Sequence, residues 1–124
     1  MVDTSVVLAL FFNEIHAAWA AERLNESSGA LRMSTVNLTE ALIRIRDRQP
    51  QLYGEIEARL LASGIRFVAP DVEQAQIAAK ARLQYPLNLG DCFAYALAVQ
   101  EKCPILTLDH DFLAVDQRVV LPPP

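Results

Sequence analysis

Hydrophobic and polar residues alternate in blocks along this chain, and the blocks have the lengths of short strands and of helices. Short apolar segments at 30–34, 65–68, 104–108 and 118–121 are typical of buried strands. Longer segments at 13–25, 35–48, 51–62, 72–83 and 89–102 have the residue spacing and the end signals of helices. Strands that alternate with helices in this way indicate an α/β sandwich with a parallel central sheet.

Turn and cap residues fix several of these boundaries. Thr35 and Asp71 are placed to cap the helices that follow them, and Pro50 and Pro86 cannot continue the helices before them. Gly64 is a good residue to end the helix over 51–62. Two pieces are less regular: a strand at Val2 is hardly longer than one residue, and an apolar run at 6–12 follows it. A short helical turn is expected at 111–114.

Length and composition predict a single domain over residues 1–124. The chain is 52% hydrophobic and shows no repeat or linker, so one substantial core is expected. Cys92 and Cys103 lie in apolar segments without ligand spacing, which is typical of reduced core cysteines. An acid at position 3 argues against a secretory signal, and the apolar run 6–12 is too short to span a bilayer. We therefore expect a soluble, cytoplasmic protein with no membrane segment.

The net charge of −4 and the pI near 5.1 argue against a general nucleic-acid coat protein. They do not exclude an enzyme that holds nucleic acid through metal ions. A site built from several carboxylates contributes negative charge of its own until cations bind.

Asp91 is the most informative residue of the chain. It is the only charged residue between positions 83 and 100, and it opens an apolar, alanine-rich helix. Burial of an ionised carboxylate in such surroundings costs on the order of several kcal/mol in lost hydration, unless a partner group compensates for the charge. Asp91 could form a capping box with Asn88, or it could belong to a functional site.

Three further acids lie at the edges of apolar segments, and each has two interpretations. Asp3 could cap a helix, Glu40 could form an ordinary surface pair with Arg44, and the run 109–111 could be a turn. Alternatively they share one site with Asp91. The carboxyl ends of parallel strands meet at one edge of a sheet, and ligands bind there.

Carboxylates in a cluster suit the chemistry of hard divalent ions. Mg²⁺ prefers oxygen ligands, and two such ions about 4 Å apart activate a water molecule and stabilise the leaving oxygen in phosphodiester hydrolysis. Other types of site are absent from the sequence: it has no glycine-rich phosphate loop, no zinc-binding histidine pair and no Ser-His-Asp elbow. The arginines at 44, 46 and 48 are either solvated or include one or two phosphate ligands.

Four motifs in order resemble those of the PIN-domain ribonucleases, specifically the VapC-type toxins of bacterial toxin–antitoxin pairs. They are an early Asp-Thr-Ser (Asp3 to Ser5), Thr39-Glu40 at the opening of a helix, Gly-Asp-Cys-Phe-Ala-Tyr-Ala-Leu-Ala (Gly90 to Ala98), and Leu-Thr-Leu-Asp-His-Asp-Phe (Leu106 to Phe112). The resemblance covers essentially the whole chain.

The resemblance implies an α/β/α PIN fold and a Mg²⁺- or Mn²⁺-dependent endoribonuclease. Asp3 and Asp91 would be the main metal ligands, Glu40 would coordinate or orient the metal and its water, and Asp109 would complete the catalytic set. Metal-activated water would attack an RNA phosphodiester in line and leave 3′-hydroxyl and 5′-phosphate ends. By the same resemblance, Thr4, Ser5 or Thr107 could orient the carboxylates by hydrogen bonds. Thr4, Ser5 and Arg44 are the residues expected to bind the substrate.

The same resemblance implies partners. A VapB-like antitoxin would place a C-terminal segment into the acidic groove, DNA would be bound only through that antitoxin, and the RNA would be a transfer or ribosomal RNA. A homodimer or a toxin–antitoxin hetero-oligomer is expected. The alternative is a non-catalytic PIN-fold module that acts mainly in a repressor complex. A phosphoacceptor receiver domain fits less well, because Lys102 precedes the last acidic motif instead of following it.

Two departures from the family pattern affect these expectations. The loop at 84–87 lacks the basic residues that many relatives carry there, so the grip on RNA must come from elsewhere. The fourth acid of the set could be Asp109, Asp111 or Asp116, with Asp109 preferred because it directly follows a strand.

Overall fold

A computed structural model describes all residues from 1 to 124. The chain forms six α-helices, four short strands and one 3₁₀ helix. In chain order they are α1 (Thr4–Phe11), α2 (Ala17–Glu26), β1 (Arg32–Ser34), α3 (Thr35–Arg48), α4 (Tyr53–Leu61), β2 (Arg66–Val68), α5 (Val72–Gln84), α6 (Leu89–Glu101), β3 (Ile105–Leu106), the 3₁₀ helix His110–Ala114 and β4 (Val119–Val120).

The sheet is small and entirely parallel. β1 pairs with β2, β3 pairs with β4, and a single residue, Val2, lies between the two pairs. The Val2 N–H donates to the Arg32 carbonyl at 2.8 Å, and the Asp3 N–H donates to the Leu106 carbonyl at 2.9 Å. The strand order is therefore β2–β1–Val2–β3–β4. The expectation of an α/β fold with a central parallel sheet is confirmed.

The strands are shorter than the apolar segments predict, and at β3 the reason is visible. The predicted strand 104–108 leaves the ladder after Thr107, whose N–H still donates to the Val120 carbonyl at 3.1 Å. The next two N–H groups donate to hydroxyls instead: Leu108 to Ser5 Oγ at 3.0 Å and Asp109 to Thr107 Oγ1 at 2.9 Å. Side chains thus end the strand where the acids begin.

Two helix starts differ from the prediction. Residues 13–16 form a turn and not the beginning of a helix, because Asn13 adopts a left-handed φ of 51° that ends α1, and α2 starts at Ala17. The helix α3 is capped by Ser34, whose hydroxyl accepts from the Val36 N–H at 3.2 Å, and not by Thr35. The apolar run at 6–12 forms most of α1, which is one of the most buried helices.

Two buried apolar clusters surround the sheet. One is formed mainly by α5 and α6, and the other by α1, α3 and α4 together with Val2 and Met33. Helix α6 is the most enclosed element, with nearly every residue from Gly90 to Ala98 buried. Both cysteines are free thiols. None of the helices combines the length and the apolar character that crossing a membrane requires.

Candidate active site

An open pocket of about 450 Å³ lies where the carboxyl ends of the central strands meet the first turns of α1 and α6 and the second and third turns of α3. The Asp3 carboxylate reaches it directly after Val2, and Asp109 follows β3. Glu40 comes from α3 and Asp91 from the first turn of α6. The four acids therefore share one cavity, which is also lined by Thr4, Ser5, Leu8, Glu14, Ile43, Arg44, Asn88 and Leu108.

Asp3 both caps α1 and faces the pocket. It is only 3% exposed, and its Oδ2 accepts hydrogen bonds from Ser5 Oγ at 2.7 Å and from Thr107 Oγ1 at 2.9 Å. Burial raises the pKa of this carboxyl above its usual range, the Glu40 charge adds to the rise, and the hydrogen bonds from Ser5 and Thr107 oppose it. The two hydroxyls fix the orientation of the carboxylate.

Asp109 is positioned by the same hydroxyl network. Its N–H donates to Thr107 Oγ1, and its carboxylate accepts from the Asp111 N–H at 2.9 Å, so it caps the 3₁₀ helix. The other two acids proposed for this position lie elsewhere. Asp111 is exposed and does not line the pocket. Asp116 accepts a hydrogen bond from the Tyr95 hydroxyl at 2.7 Å, outside the acidic pocket.

Asp91 lies in the first turn of α6, and the cap of that helix is a different residue. The side chain of Asn88 accepts from the Asp91 N–H at 2.8 Å, so the cap does not consume the Asp91 carboxylate. Burial raises the pKa of Asp91 to about 7, and the charges of Asp3, Asp109 and Glu40 add to the rise. This carboxyl therefore keeps its proton to a higher pH than an exposed aspartate does.

Glu40 does not pair with Arg44. The three ion pairs of the chain join other residues, Arg23 with Glu22 and Glu26, and Arg66 with Glu101. The Glu40 Oε1 instead accepts from Asn37 Nδ2 at 2.9 Å and from Thr4 Oγ1 at 3.2 Å. The interpretation of Glu40 as half of a surface pair is therefore wrong.

The three arginines of α3 have different surroundings. Arg44 lines the acidic pocket. The guanidinium groups of Arg46 and Arg48 lie over aromatic rings, each 4.0 Å from the ring centre, of Tyr53 and Phe12 respectively. Those two contacts are stabilising cation–π interactions. Only Arg44 is placed to meet a molecule in the pocket.

Two residues of this region were not predicted from the sequence: Glu14, which lines the pocket, and Asn37, which is buried next to Glu40. Glu14 lies at the rim, after a turn that was predicted as helix. Asn37 is fully buried, and its Nδ2 donates to Glu40 and to the Gly90 carbonyl at 3.1 Å. Its Oδ1 has no partner, a cost of about 1–3 kcal/mol. The sequence feature that could have indicated Asn37 is its position one helical turn before Glu40, on the same face of α3.

The donor set of the pocket fits a hard divalent cation. Its five acidic side chains, Glu14 included, all offer oxygen, and no cationic side chain pairs with any of them. No group of three or more Asp, Glu, His or Cys side chains converges closely enough to enclose an ion. A closed cage is not what Mg²⁺ requires, because it is held by one or two carboxylates and keeps several waters for exchange with substrate phosphate.

Comparison with known proteins agrees with this fold and shows the family. The PIN domain family profile matches residues 1–118. The chain is 36% identical to Ribonuclease VapC42 of Mycobacterium tuberculosis, over 95% of this chain and 96% of that protein. Among solved structures, M. tuberculosis VapC20, described as a Sarcin-Ricin loop cleaving toxin, superposes with a TM-score of 0.83 at 17% identity, covering 98% of each chain.

A second solved structure shows the same fold in an assembly. VapBC2 from Rickettsia felis, bound to a DNA fragment from its promoter, contains a chain that superposes with a TM-score of 0.81 at 11% identity. The alignment covers 98% of this chain and 96% of that one.

Proposed function

This chain belongs to the PIN domain family, and from that premise we propose that its acidic pocket hydrolyses RNA phosphodiester bonds with the help of a bound divalent cation. The protein acts as the ribonuclease toxin of a toxin–antitoxin pair. The observation that carries the proposal is the convergence of Asp3, Glu40, Asp91 and Asp109 on one pocket without a cationic side chain paired to any of them.

Clustered, uncompensated carboxylates are costly, and that cost is what supports a catalytic role. Acids in one cavity repel one another, and the raised pKa of Asp91 reflects its burial first and the charges of Asp3, Asp109 and Glu40 in addition. A module that only binds an antitoxin gains nothing from such a cluster. A cation site gains affinity from it, because binding relieves the repulsion, and any proton on Asp91 competes with the cation, so the affinity should rise with pH.

Asp3 and Asp91 are the residues we propose as the main ligands of Mg²⁺ or Mn²⁺, with Glu40 and Asp109 completing the set. When bound, the cation supplies an acidified water molecule and positive charge next to the substrate phosphate. Ser5 and Thr107 keep the Asp3 carboxylate in one orientation, since both hydroxyls donate to the same oxygen. That leaves the other oxygen of Asp3 free to act as a ligand.

Among the remaining pocket residues, we assign only Arg44 to the substrate. Arg44 is the cationic side chain that lines the pocket, and we assign it to the RNA phosphate next to the scissile bond. Thr4 uses its hydroxyl within the protein, on Glu40 and on the Asn37 carbonyl at 3.0 Å. Thr4 and Ser5 therefore support the carboxylates, and neither hydroxyl is free to contact substrate directly.

The partner of this toxin is a VapB-like antitoxin, which also supplies the contact with DNA. The negative potential of the pocket suits a basic side chain from such a partner, because one guanidinium can satisfy two carboxylates. The RNA is a transfer or ribosomal RNA loop in this proposal, since an open pocket admits a nucleotide that is splayed out of a helix.

Calorimetric titration of Mn²⁺ and Mg²⁺ into antitoxin-free protein tests the cation site. We expect saturable binding by the wild type and an affinity lower by about 100-fold or more in Asp91→Asn. Loss of a residue that only supports a metal ligand lowers metal affinity by about 10–100-fold, and loss of the ligand itself should lower it at least as much. Cleavage of RNA by the same preparations, analysed for 5′-phosphate ends, links binding to chemistry.

Asp47→Asn is the matched control, since Asp47 is an exposed acid of α3 outside the pocket. It should bind and cleave like the wild type. Equal heats from wild type and Asp91→Asn, or none from either, would contradict the proposal and favour the non-catalytic binding module.

A further inference from the structure

Gly90 has no room for a side chain, and the neighbour that takes the space is Glu40. A methyl group built on Gly90 would lie 2.5 Å from Glu40 Cδ and 2.6 Å from Oε1, distances that real Cβ atoms essentially never show. The carboxyl group of Glu40 thus rests directly on the Cα of the residue before Asp91. Gly54, in the exposed part of α4, has nothing within 4 Å of the same position.

Asn37 also holds the Glu40 carboxyl group, by a hydrogen bond. One amide nitrogen donates to Glu40 Oε1 at 2.9 Å and to the Gly90 carbonyl at 3.1 Å, so it ties α3 to α6 at the turn that carries Asp91. Both partners are acceptors, which fixes the orientation of the amide, because a flipped Asn37 would place oxygen against both of them. Its Oδ1 remains buried without a partner.

The Asn37 backbone extends this connection to α1. The Thr4 hydroxyl donates to the Asn37 carbonyl at 3.0 Å and to Glu40 Oε1 at 3.2 Å. Thr4 directly follows Asp3. One buried residue therefore contacts the helix starts from which two of the acids project, and it contacts the third acid itself.

We propose that Asn37 and Gly90 form a seat for the Glu40 carboxylate and set its distance from Asp91. This seat consists of the Asn37 amide, which holds Oε1, and the bare Cα of Gly90, which leaves room for the carboxyl group. Both are positioning residues and neither contacts the substrate. The inference rests on the proposed function, because it assigns the seat to the cation site of the same pocket.

Two substitutions disturb the seat from different elements. Asn37→Asp keeps the size of the side chain but removes the donor and brings a second carboxylate against Glu40. Gly90→Ala keeps Asn37 and forces Glu40 away. We expect each to lower the affinity of the RNA-free protein for Mn²⁺ by about 10–100-fold, and to lower kcat for RNA cleavage with little change in KM.

Matched controls carry the same substitutions at exposed helical positions. Asn25→Asp in α2 and Gly54→Ala in α4 should bind Mn²⁺ like the wild type. Addition of Asn37→Asp to Glu40→Gln should cost much less than Asn37→Asp alone, because the seat acts through Glu40. Full additivity of the two substitutions would overturn the proposal.

The experiment separates this inference from the proposed function. No Mn²⁺ binding by the wild type would defeat both. A wild type that binds and cleaves, with folded Asn37→Asp and Gly90→Ala variants of equal Mn²⁺ affinity, would defeat the seat alone. If the variants do not fold, the side-chain amide resonance of Asn37 in the wild type decides: it should shift on addition of Mg²⁺, and an unmoved resonance would overturn the proposal.

Discussion

Charged residues lie at both ends of the sheet, but they differ in burial and in pairing. At the carboxyl ends of the strands, Asp3 and Asp91 are 3% and 8% exposed and have no cationic partner. At the amino ends, Arg66 begins β2 with its side chain 57% exposed and pairs with Glu101 at 2.6 Å. An exposed ion pair changes the free energy of folding little. Buried charges of the same sign destabilise the folded state by on the order of several kcal/mol, because they lose their hydration and repel one another. This difference supports the proposal that the carboxyl end of the sheet carries the cation site.

The largest effect should come from removal of the Asp91 charge. The pKa of Asp91 is raised to about 7, so the folded state binds a proton that the unfolded state releases near pH 4. The stability of the metal-free wild type should therefore fall as pH rises from about 4 to 7, by a few kcal/mol at most, at about 1.4 kcal/mol per pKa unit. Asp91→Asn should flatten this dependence and be the more stable protein at pH 8.

Denaturant unfolding in the presence of a chelator, repeated across this pH range, measures the effect. Asp47→Asn should keep the wild-type profile, because Asp47 is exposed. If the free energy of unfolding depends on pH equally in wild type and Asp91→Asn, the Asp91 carboxylate does not destabilise the folded state. The contrast between the two ends of the sheet would then be wrong.

A smaller effect is expected from Thr107→Val, which keeps the shape of a fully buried side chain but removes its hydroxyl. Asp3 loses one of its two hydroxyl donors and the Asp109 N–H loses its acceptor. We expect a loss of about 1–3 kcal/mol of stability, and weaker cation binding. Thr39→Val is the control, because the Thr39 hydroxyl only donates to the Thr35 carbonyl on the exposed side of α3. Equal melting temperatures for Thr107→Val and Thr39→Val would contradict the role assigned to the Thr107 hydroxyl.

The smallest effect should come from the amino ends. Arg66→Ala removes an exposed ion pair and should cost less than about 1 kcal/mol, with cleavage unchanged. A double-mutant cycle with Glu101→Ala isolates the pair. A coupling energy well above that value would remove the contrast between the two ends of the sheet.

Helix boundaries were predictable where a side chain caps the helix. Asp71 accepts from the Gln74 N–H and Asn88 from the Asp91 N–H, and α5 and α6 begin where those residues predict. The start of α2 was not predictable in this way. Asn13 is left-handed and ends α1 in a Schellman motif, with bonds from the Glu14 N–H to the Ala9 carbonyl and from the Asn13 N–H to the Leu10 carbonyl. The prediction assigned Asn13 to the start of the next helix instead.

The acids of the site were visible in the sequence because a charge at the edge of an apolar segment is unusual. That signal separates Asp91 from ordinary surface acids, although it does not establish its role. Asn37 gave no such signal, since a buried amide in a helix is chemically unremarkable until its partners are known. Its partner Gly90 lies 53 residues away in sequence, and only the packing of α3 on α6 brings the two together.

The single residue that joins the two halves of the sheet makes the acidic pocket depend on contacts between residues that are far apart in sequence. Val2 pairs with Leu106, and the Asp3 carboxylate accepts a hydrogen bond from Thr107, across a separation of 104 residues. Contacts at such a separation form late in folding, because closing a long loop costs entropy before the contact compensates for it. Asp3 and Asp109 therefore come together only when the sheet closes around Val2, and a partly folded chain lacks the acidic pocket.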